Sequence, residues 1–146
     1  MDLRIFSCFD TRHDRDLHVR LVAQTERPGS PLRVVDGSGT GQAFPGWEEE
    51  LRVRLADADA VVVICGEHTD TATAVSRELS VARQEGKPYV LLWGRRERAC
   101  TRPSGARADD SFFTWIFDVL TARLAFEVRS PRPAAPSAKG ATHESG

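Results

Sequence analysis

No apolar run in this 146-residue chain is long enough to span a bilayer, which takes about 20 consecutive apolar residues. The opening stretch, Met1-Asp2-Leu3-Arg4-Ile5-Phe6, lacks the basic start and extended apolar segment of a secretion signal. Cysteine is scarce as well. Cys8, Cys65 and Cys100 make an odd number with no Cys-x-x-Cys spacing, which argues against a disulfide framework and against a zinc site. Cys8 and Cys65 lie inside apolar runs, where a thiol behaves as a small hydrophobe. A reducing, cytoplasmic location is the expectation. An excess of one charge is also missing: 20 Lys and Arg stand against 21 Asp and Glu, a formal net charge of -1. That balance supplies no global field for nucleic acid or an anionic membrane, so neither is expected as a partner.

What is present is an alternation of strand and helix patterns. Leu3 to Phe9 is a short apolar run read as a first strand, and Asp14 to Gln24 follows with Leu17, Leu21 and Val22 on one helical face. Thr11 or Asp14 is placed to cap that helix. Pro28, Gly29 and Pro31 interrupt the chain before a second strand, Leu32 to Val35. Asp36 to Gln42 reads as loop. Trp47 to Asp57 reads as a helix with Trp47, Leu51 and Leu55 as its buried stripe, and Glu48, Glu49 and Glu50 in its first turn suit the helix dipole. Ala60 to Cys65 is continuously apolar, as a strand buried on both faces would be, and implies a parallel sheet covered by helices. Thr71 to Gln84 reads as the third helix, stopped by Gly86 and Pro88. Tyr89 to Trp93 is a further strand, Arg95 to Asp110 an Arg-rich loop, and Phe112 to Phe126 a final helix. Ser130 to Gly146, rich in Pro, Ala, Ser and Gly, reads as a disordered tail.

Such alternation predicts an α/β fold with right-handed crossovers. In these sheets a ligand sits at the carboxyl ends of the strands, near the switch in strand order. The third helix offers the most telling residue there. At about 100° per residue, Val75, Leu79, Ala72 and Ala82 form an apolar stripe, with Glu78 and Thr71 together on one border. A carboxylate at that border is partly desolvated, which raises its pKa and strengthens its field on a nearby cation. A flank glutamate covering the core with its stem would leave the same pattern. Gly37-Ser38-Gly39-Thr40-Gly41 departs from a phosphate-binding Gly-x-Gly-x-x-Gly loop at Gln42 and reads as a flexible connection. Arg12 and His13 could meet a phosphate or form a solvated cluster. Thr69 or Asp70 is the natural cap of the third helix. The basic loop Arg95, Arg96, Arg98, Arg102 and Arg107 has few aromatics and no acidic cluster nearby before Asp109.

Several of these pieces resemble one family. Ile5-Phe6-Ser7-Cys8-Phe9 with Asp14 downstream resembles the first strand of TIR and TIR-like domains. Val61-Val62-Val63-Ile64 with Gly66-Glu67-His68-Thr69 resembles the third strand and loop of the bacterial TIR-like branch. Ser76-Arg77-Glu78-Leu79, Ala82 and Gly86-Lys87-Pro88 resemble its third helix and following turn. The pattern is most similar to the TIR-like subunit of Thoeris anti-phage systems (ThsB-type). The resemblance implies a flavodoxin-like three-layer sandwich with a parallel sheet of four to five strands, over residues 1–128, followed by the tail 129–146. It implies an enzyme that cleaves NAD+ as substrate, with no resident cofactor and no metal. Glu78 takes the catalytic position and Thr71 that of a Ser or Thr earlier in the family's motif. Phe9, Asp10, Thr11 and Ser38 are the rim candidates for nucleotide contact. The resemblance further implies self-association and an effector protein reached through a diffusible nucleotide signal, either ADP-ribose or a cyclic isomer. The chain departs from the family at Cys8, where many members have Ser, and at Ala74 and Val75, where an aromatic and a Cys are usual.

Three other readings fit the same pattern. A nucleoside deoxyribosyltransferase-like enzyme shares the sheet and a carboxylate near a helix after a strand. A non-catalytic adaptor would use the domain only for association. A receiver-type signalling domain would need an acidic pair after the first strand, only partly suggested by Asp10 and Asp14.

Overall fold

The computed structural model describes residues 2–39 and 44–130. Five parallel strands form one sheet: β1 (Leu3–Cys8), β2 (Leu32–Gly37), β3 (Ala60–Cys65), β4 (Tyr89–Trp93) and β5 (Phe112–Thr114), in the order β2-β1-β3-β4-β5. The helices are α1 (Arg15–Thr25), α2 (Trp47–Ala56), α3 (Thr73–Gln84) and α4 (Phe117–Arg129). The expected α/β architecture is thus present with five strands.

Two apolar layers hold the sandwich, one on each face of the sheet. Phe6, Cys8, Val61, Val63 and Leu91 face Leu51 and Leu55 of α2 and Val75 and Leu79 of α3. Ile5, Val62, Ile64 and Leu92 face Leu17 and Leu21 of α1 and Leu120 and Leu124 of α4. Every residue of β3 is buried, as its unbroken apolar sequence requires of a central strand. Each such aliphatic side chain removed from water contributes about 1.5–3 kcal/mol, so the layers fix the sheet and, with it, the rim where its carboxyl ends emerge.

Several expected boundaries move, for physical reasons. The third helix starts at Thr73, not Thr71. Thr69–Thr71 instead forms a 3-10 turn, and Ala72 is extended at φ -81, ψ 90. The turn is held by the Thr69 hydroxyl, which accepts the Gly66 N–H at 2.8 Å. Neither Thr69 nor Asp70 caps α3, whose N-cap is Ala72. Asp70 is tied to Thr101. Asp14 occupies the N-cap position of α1 but makes no side-chain cap. The predicted final helix splits: Phe112–Thr114 becomes β5, paired with Leu91–Trp93, because aromatic residues beside an open strand edge gain a ladder there. The helix resumes at Phe117. Asp36 and Gly37 belong to β2 and not to the loop after it. Thr40, Gly41 and Gln42 of that loop, and the tail beyond Ser130, lie outside the described residues. The stop of α3 is as expected. Gly86 takes φ +74, its N–H reaches Arg83 O, and the Lys87 N–H reaches Ala82 O, which is a complete Schellman closure.

Candidate active site

The rim over β1 and β2 is shaped by a close approach. A Cβ on Gly37 would lie 2.9 Å from His18 Cε1 and 3.0 Å from Ser7 O. Only glycine lets β2 run this near to β1 and α1. The next residue is thereby locked, with the Ser38 N–H donating to Ser7 O at 2.9 Å. The Ser38 hydroxyl then accepts the Phe9 N–H at 3.0 Å and donates to Glu78 Oε1 at 2.6 Å. A backbone dipole at the end of β1 is in this way relayed through one hydroxyl to the carboxylate on α3.

A second donor reaches the same oxygen. Cys8 Sγ is 3.4 Å from Glu78 Oε1. Cys8 alternates onto the face of β1 that meets α3, the side also taken by Phe6. Burial, and then the negative Glu78, hold its thiol well above the ordinary value, so Cys8 is a proton-bearing donor and not a nucleophilic thiolate. Glu78 is half-buried. Burial pushes its carboxyl up from the ordinary glutamate value. The hydrogen bonds from Ser38 and Cys8, and the fields of Arg54 and Arg77, pull it back only in part. Arg54 is itself engaged by Asp36, at 2.8 and 3.1 Å, and Arg77 lies over the Trp47 ring, 5.5 Å from its centroid. Among the described residues Glu78 has no guanidinium in salt-bridge contact, and its Oε2 accepts no hydrogen bond. The result is a partly desolvated acid with neutral donors on one oxygen and, among the described residues, none on the other.

A cleft of about 660 Å³ adjoins this corner, between the β1–α1 loop and the start of α3. Asp10, Thr11, Arg12, Thr71, Ala74 and Val75 are among its lining residues. Val75 links the two, since its carbonyl is 3.9 Å from Cys8 Sγ. Asp10 is buried, accepts the Arg12 N–H at 2.9 Å and meets His13 Nδ1 at 2.8 Å. His13 in turn stacks on His68, centroids 4.1 Å apart.

The sequence candidates therefore divide. Glu78, Ser38 and the backbone of Phe9 converge. The Phe9 ring is buried and stacks on His18 at 4.5 Å. Asp10, Thr11 and Thr71 line the neighbouring cleft. Thr71 does not share a helical face with Glu78, because extended Ala72 separates it from α3. Its exposed hydroxyl donates to His68 O at 3.1 Å. The contribution that sequence reasoning missed is Cys8, which it read as an inert core thiol. The period-two pattern that puts Phe6 and Cys8 on one face was the available signal. The Arg-rich loop, too, is better balanced than its local sequence suggests: Arg95 pairs with Asp14 at 3.1 Å and Asp16 at 2.8 Å, both on a distant segment.

Comparison with known proteins agrees with this architecture. The family described as Thoeris protein ThsB, TIR-like domain, matches residues 6–98, more than half of the chain. No curated protein matches. Among solved structures, a prokaryotic SEFIR domain aligns with a TM-score of 0.51, covering 93% of this chain and 97% of that one, at 13% identity. At that identity the likeness is one of fold. No helix among the described residues is long and apolar enough to cross a membrane.

Proposed function

The chain belongs to the TIR-like domain family of the Thoeris protein ThsB, and from that premise we propose that it cleaves NAD+ at the bond between nicotinamide and ribose, with Glu78 as the catalytic residue. One observation carries this reading: a desolvated carboxylate at the carboxyl rim, beside the strand-order switch between β1 and β3, held by Ser38 and Cys8 through a single oxygen.

The chemistry suits one carboxylate. Nicotinamide in NAD+ is already cationic and leaves as a neutral ring, taking the electron pair of the broken bond. No general acid is needed, unlike in most glycosidases, which use two carboxylates. Positive charge develops on the ribose as the bond lengthens. An ionised Glu78 stabilises that oxocarbenium-like state from a fixed position in a low-dielectric corner. Oε2 is the oxygen free to face the ribose or orient one of its hydroxyls. Water adding at the ribose carbon gives ADP-ribose, nicotinamide and a proton. An acceptor within the same molecule gives a cyclic isomer. Asp10, Thr11 and Thr71 in the adjoining cleft, with Phe9 and Ser38, are the proposed nucleotide contacts. The product would serve in anti-phage defence as a diffusible signal to a separate effector, and self-association of the domain would accompany activity.

A second reading is a non-catalytic signalling module. It is favoured by the internal use of Glu78 Oε1, which satisfies part of the acid without any ligand. Nothing in the comparisons supports the deoxynucleoside enzyme. One experiment separates the two readings that remain: NAD+ consumption with mass-resolved products in phage-infected cells carrying the wild type or Glu78→Gln. NAD+ loss with an ADP-ribose-sized product in the wild type alone supports the enzyme. Equal NAD+ levels in both favour the module.

A further inference from the structure

A second cleft, of about 470 Å³, opens at the carboxyl ends of β4 and β5, lined by Arg20, Trp93, Gly94, Arg96, Thr114 and Trp115. Arg20 comes from α1, and Trp115 is backed by the core layer beneath α1 and α4. Trp93 packs on the opposite layer, which also backs the Glu78 corner. Glu78, however, meets Cys8 and Ser38 at the ends of β1 and β2. Its adjoining cleft shares no lining residue with this one, so the two places are distinct.

The walls of this cleft are preset. The Trp115 Nε1–H donates to Gln24 Oε1 at 2.8 Å, and the Trp93 Nε1–H donates to Arg95 O at 2.9 Å. Trp93 also meets Phe112 edge-on, with centroids 5.0 Å apart and planes at 84°. Each indole has thereby used its one polar group. The floor is backbone, since a Cβ on Gly94 would lie 2.7 Å from both Cys65 O and Leu17 Cδ1. Arg20 and Arg96 are exposed, and among the described residues neither forms an ion pair. Arg20 lies 4.4 Å from the centroid of the Trp115 ring. Their neighbour Arg95, by contrast, is engaged through both terminal nitrogens by Asp14, Asp16 and His13 O.

We propose that this cleft binds a phosphorylated nucleotide, its base against the indoles and its phosphates between Arg20 and Arg96. Guanidinium groups match phosphate oxygens in a bidentate fork and stack on planar rings. Aromatic side chains take any base by its face. A bare polyanion would leave the indoles unused, and an apolar ligand would strip water from two guanidiniums without replacing it. A nucleotide is the ligand class that satisfies both halves. The inference does not depend on NAD+ cleavage.

The test uses the full chain and three probes, ADP, adenosine and inorganic pyrophosphate, in calorimetric and tryptophan-fluorescence titrations. ADP binds saturably, binding weakens with added salt, and adenosine and pyrophosphate each bind about tenfold more weakly or worse, one order of magnitude being about 1.4 kcal/mol. The exposed pair Arg20→Ala/Arg96→Ala loses ADP binding while its unfolding transition stays where it was. Trp115→Phe weakens ADP without weakening pyrophosphate. Equal ADP affinity in the double variant would place the nucleotide elsewhere and overturn the proposal. Pyrophosphate binding as tightly as ADP, or no saturation at millimolar ADP, overturns it as well.

Discussion

Two acids at the carboxyl rim, one buried and one half-buried, live in opposite circumstances. Asp14 is 1% exposed and meets the Arg95 guanidinium at 3.1 Å, and that same Arg95 also holds Asp16 and the His13 carbonyl. Glu78 has a hydroxyl and a thiol and, among the described residues, no guanidinium in contact. Burial pushes both carboxyls upward; an arginine opposes this by a hydrogen bond at Asp14, and at Glu78 only through the fields of Arg54 and Arg77. The first arrangement spends the charge inside the protein, tying the β1–α1 loop to the end of β4. In the proposed function, the second keeps its charge for the substrate. A carboxylate that anchors structure is given a cation. One that is to act on a cationic transition state must be held by neutral donors, because a resident guanidinium would cancel its field.

That contrast is sharpest at Glu78 itself. Glu78→Gln is expected to lower NAD+ cleavage by about 10²–10³-fold, the usual effect of removing one preorganised electrostatic group, without lowering stability. The sign follows from linkage. A native carboxyl raised above its unfolded value binds its proton more tightly when folded. Its stabilising contribution is complete below the unfolded value and is lost as pH rises through the native one. At neutral pH the uncharged Gln escapes this loss, so thermal unfolding of the variant should match or exceed wild type there and lose that advantage in acid. A lowered midpoint at neutral pH would recast Glu78 as a structural acid.

Arg95→Ala tests the other half. It strands Asp14 in the interior and frees the first turn of α1, at a cost of about 2–3 kcal/mol in urea unfolding. The deficit should shrink as pH falls, because a protonated Asp14 tolerates burial. A change under about 1 kcal/mol, independent of pH, would erase the distinction between the two acids.

Ser38→Ala is gentler. It removes a donor to Glu78 and an acceptor for the Phe9 N–H, for about 1 kcal/mol of stability. With that hydrogen bond gone, Glu78 ionises at higher pH, and the acid limb of the kcat profile moves upward. An unmoved limb would mean that Ser38 does not govern the acid. The smallest effect belongs to Thr71→Ala, which leaves stability within about 0.5 kcal/mol. It raises KM and spares kcat, because Thr71 lines the cleft and touches His68 rather than Glu78. A kcat loss as deep as that of Glu78→Gln would shift the reacting centre into the cleft.

Much of this molecule is legible along the chain. The unbroken Ala60–Cys65 run could only be a strand covered on both faces, and Gly86 before Pro88 marks the end of α3 at the observed place. Such features depend on neighbours in sequence. Phe112–Thr114 misleads because its apolar residues suit a helix as well as a strand, and only the free edge of β4 chooses between them. Thr71 misleads in the same manner. The helical wheel set it beside Glu78, but the Thr69 hydroxyl takes the Gly66 N–H and winds a separate turn before α3.

The sequence by itself determined the layered α/β plan, the family pattern and the placing of Glu78 at the border of an apolar stripe, since periodicity and turn chemistry are local properties. Tertiary structure alone decided what surrounds that carboxylate. Cys8 and Ser38 are 70 and 40 residues away from Glu78, and Arg95 is 81 residues from Asp14. Those meetings follow from the strand order, which sets β1 beside β2 and leaves only β3 between β1 and β4. Whether a buried acid receives a guanidinium or only neutral donors is set by which strand ends become neighbours at the rim.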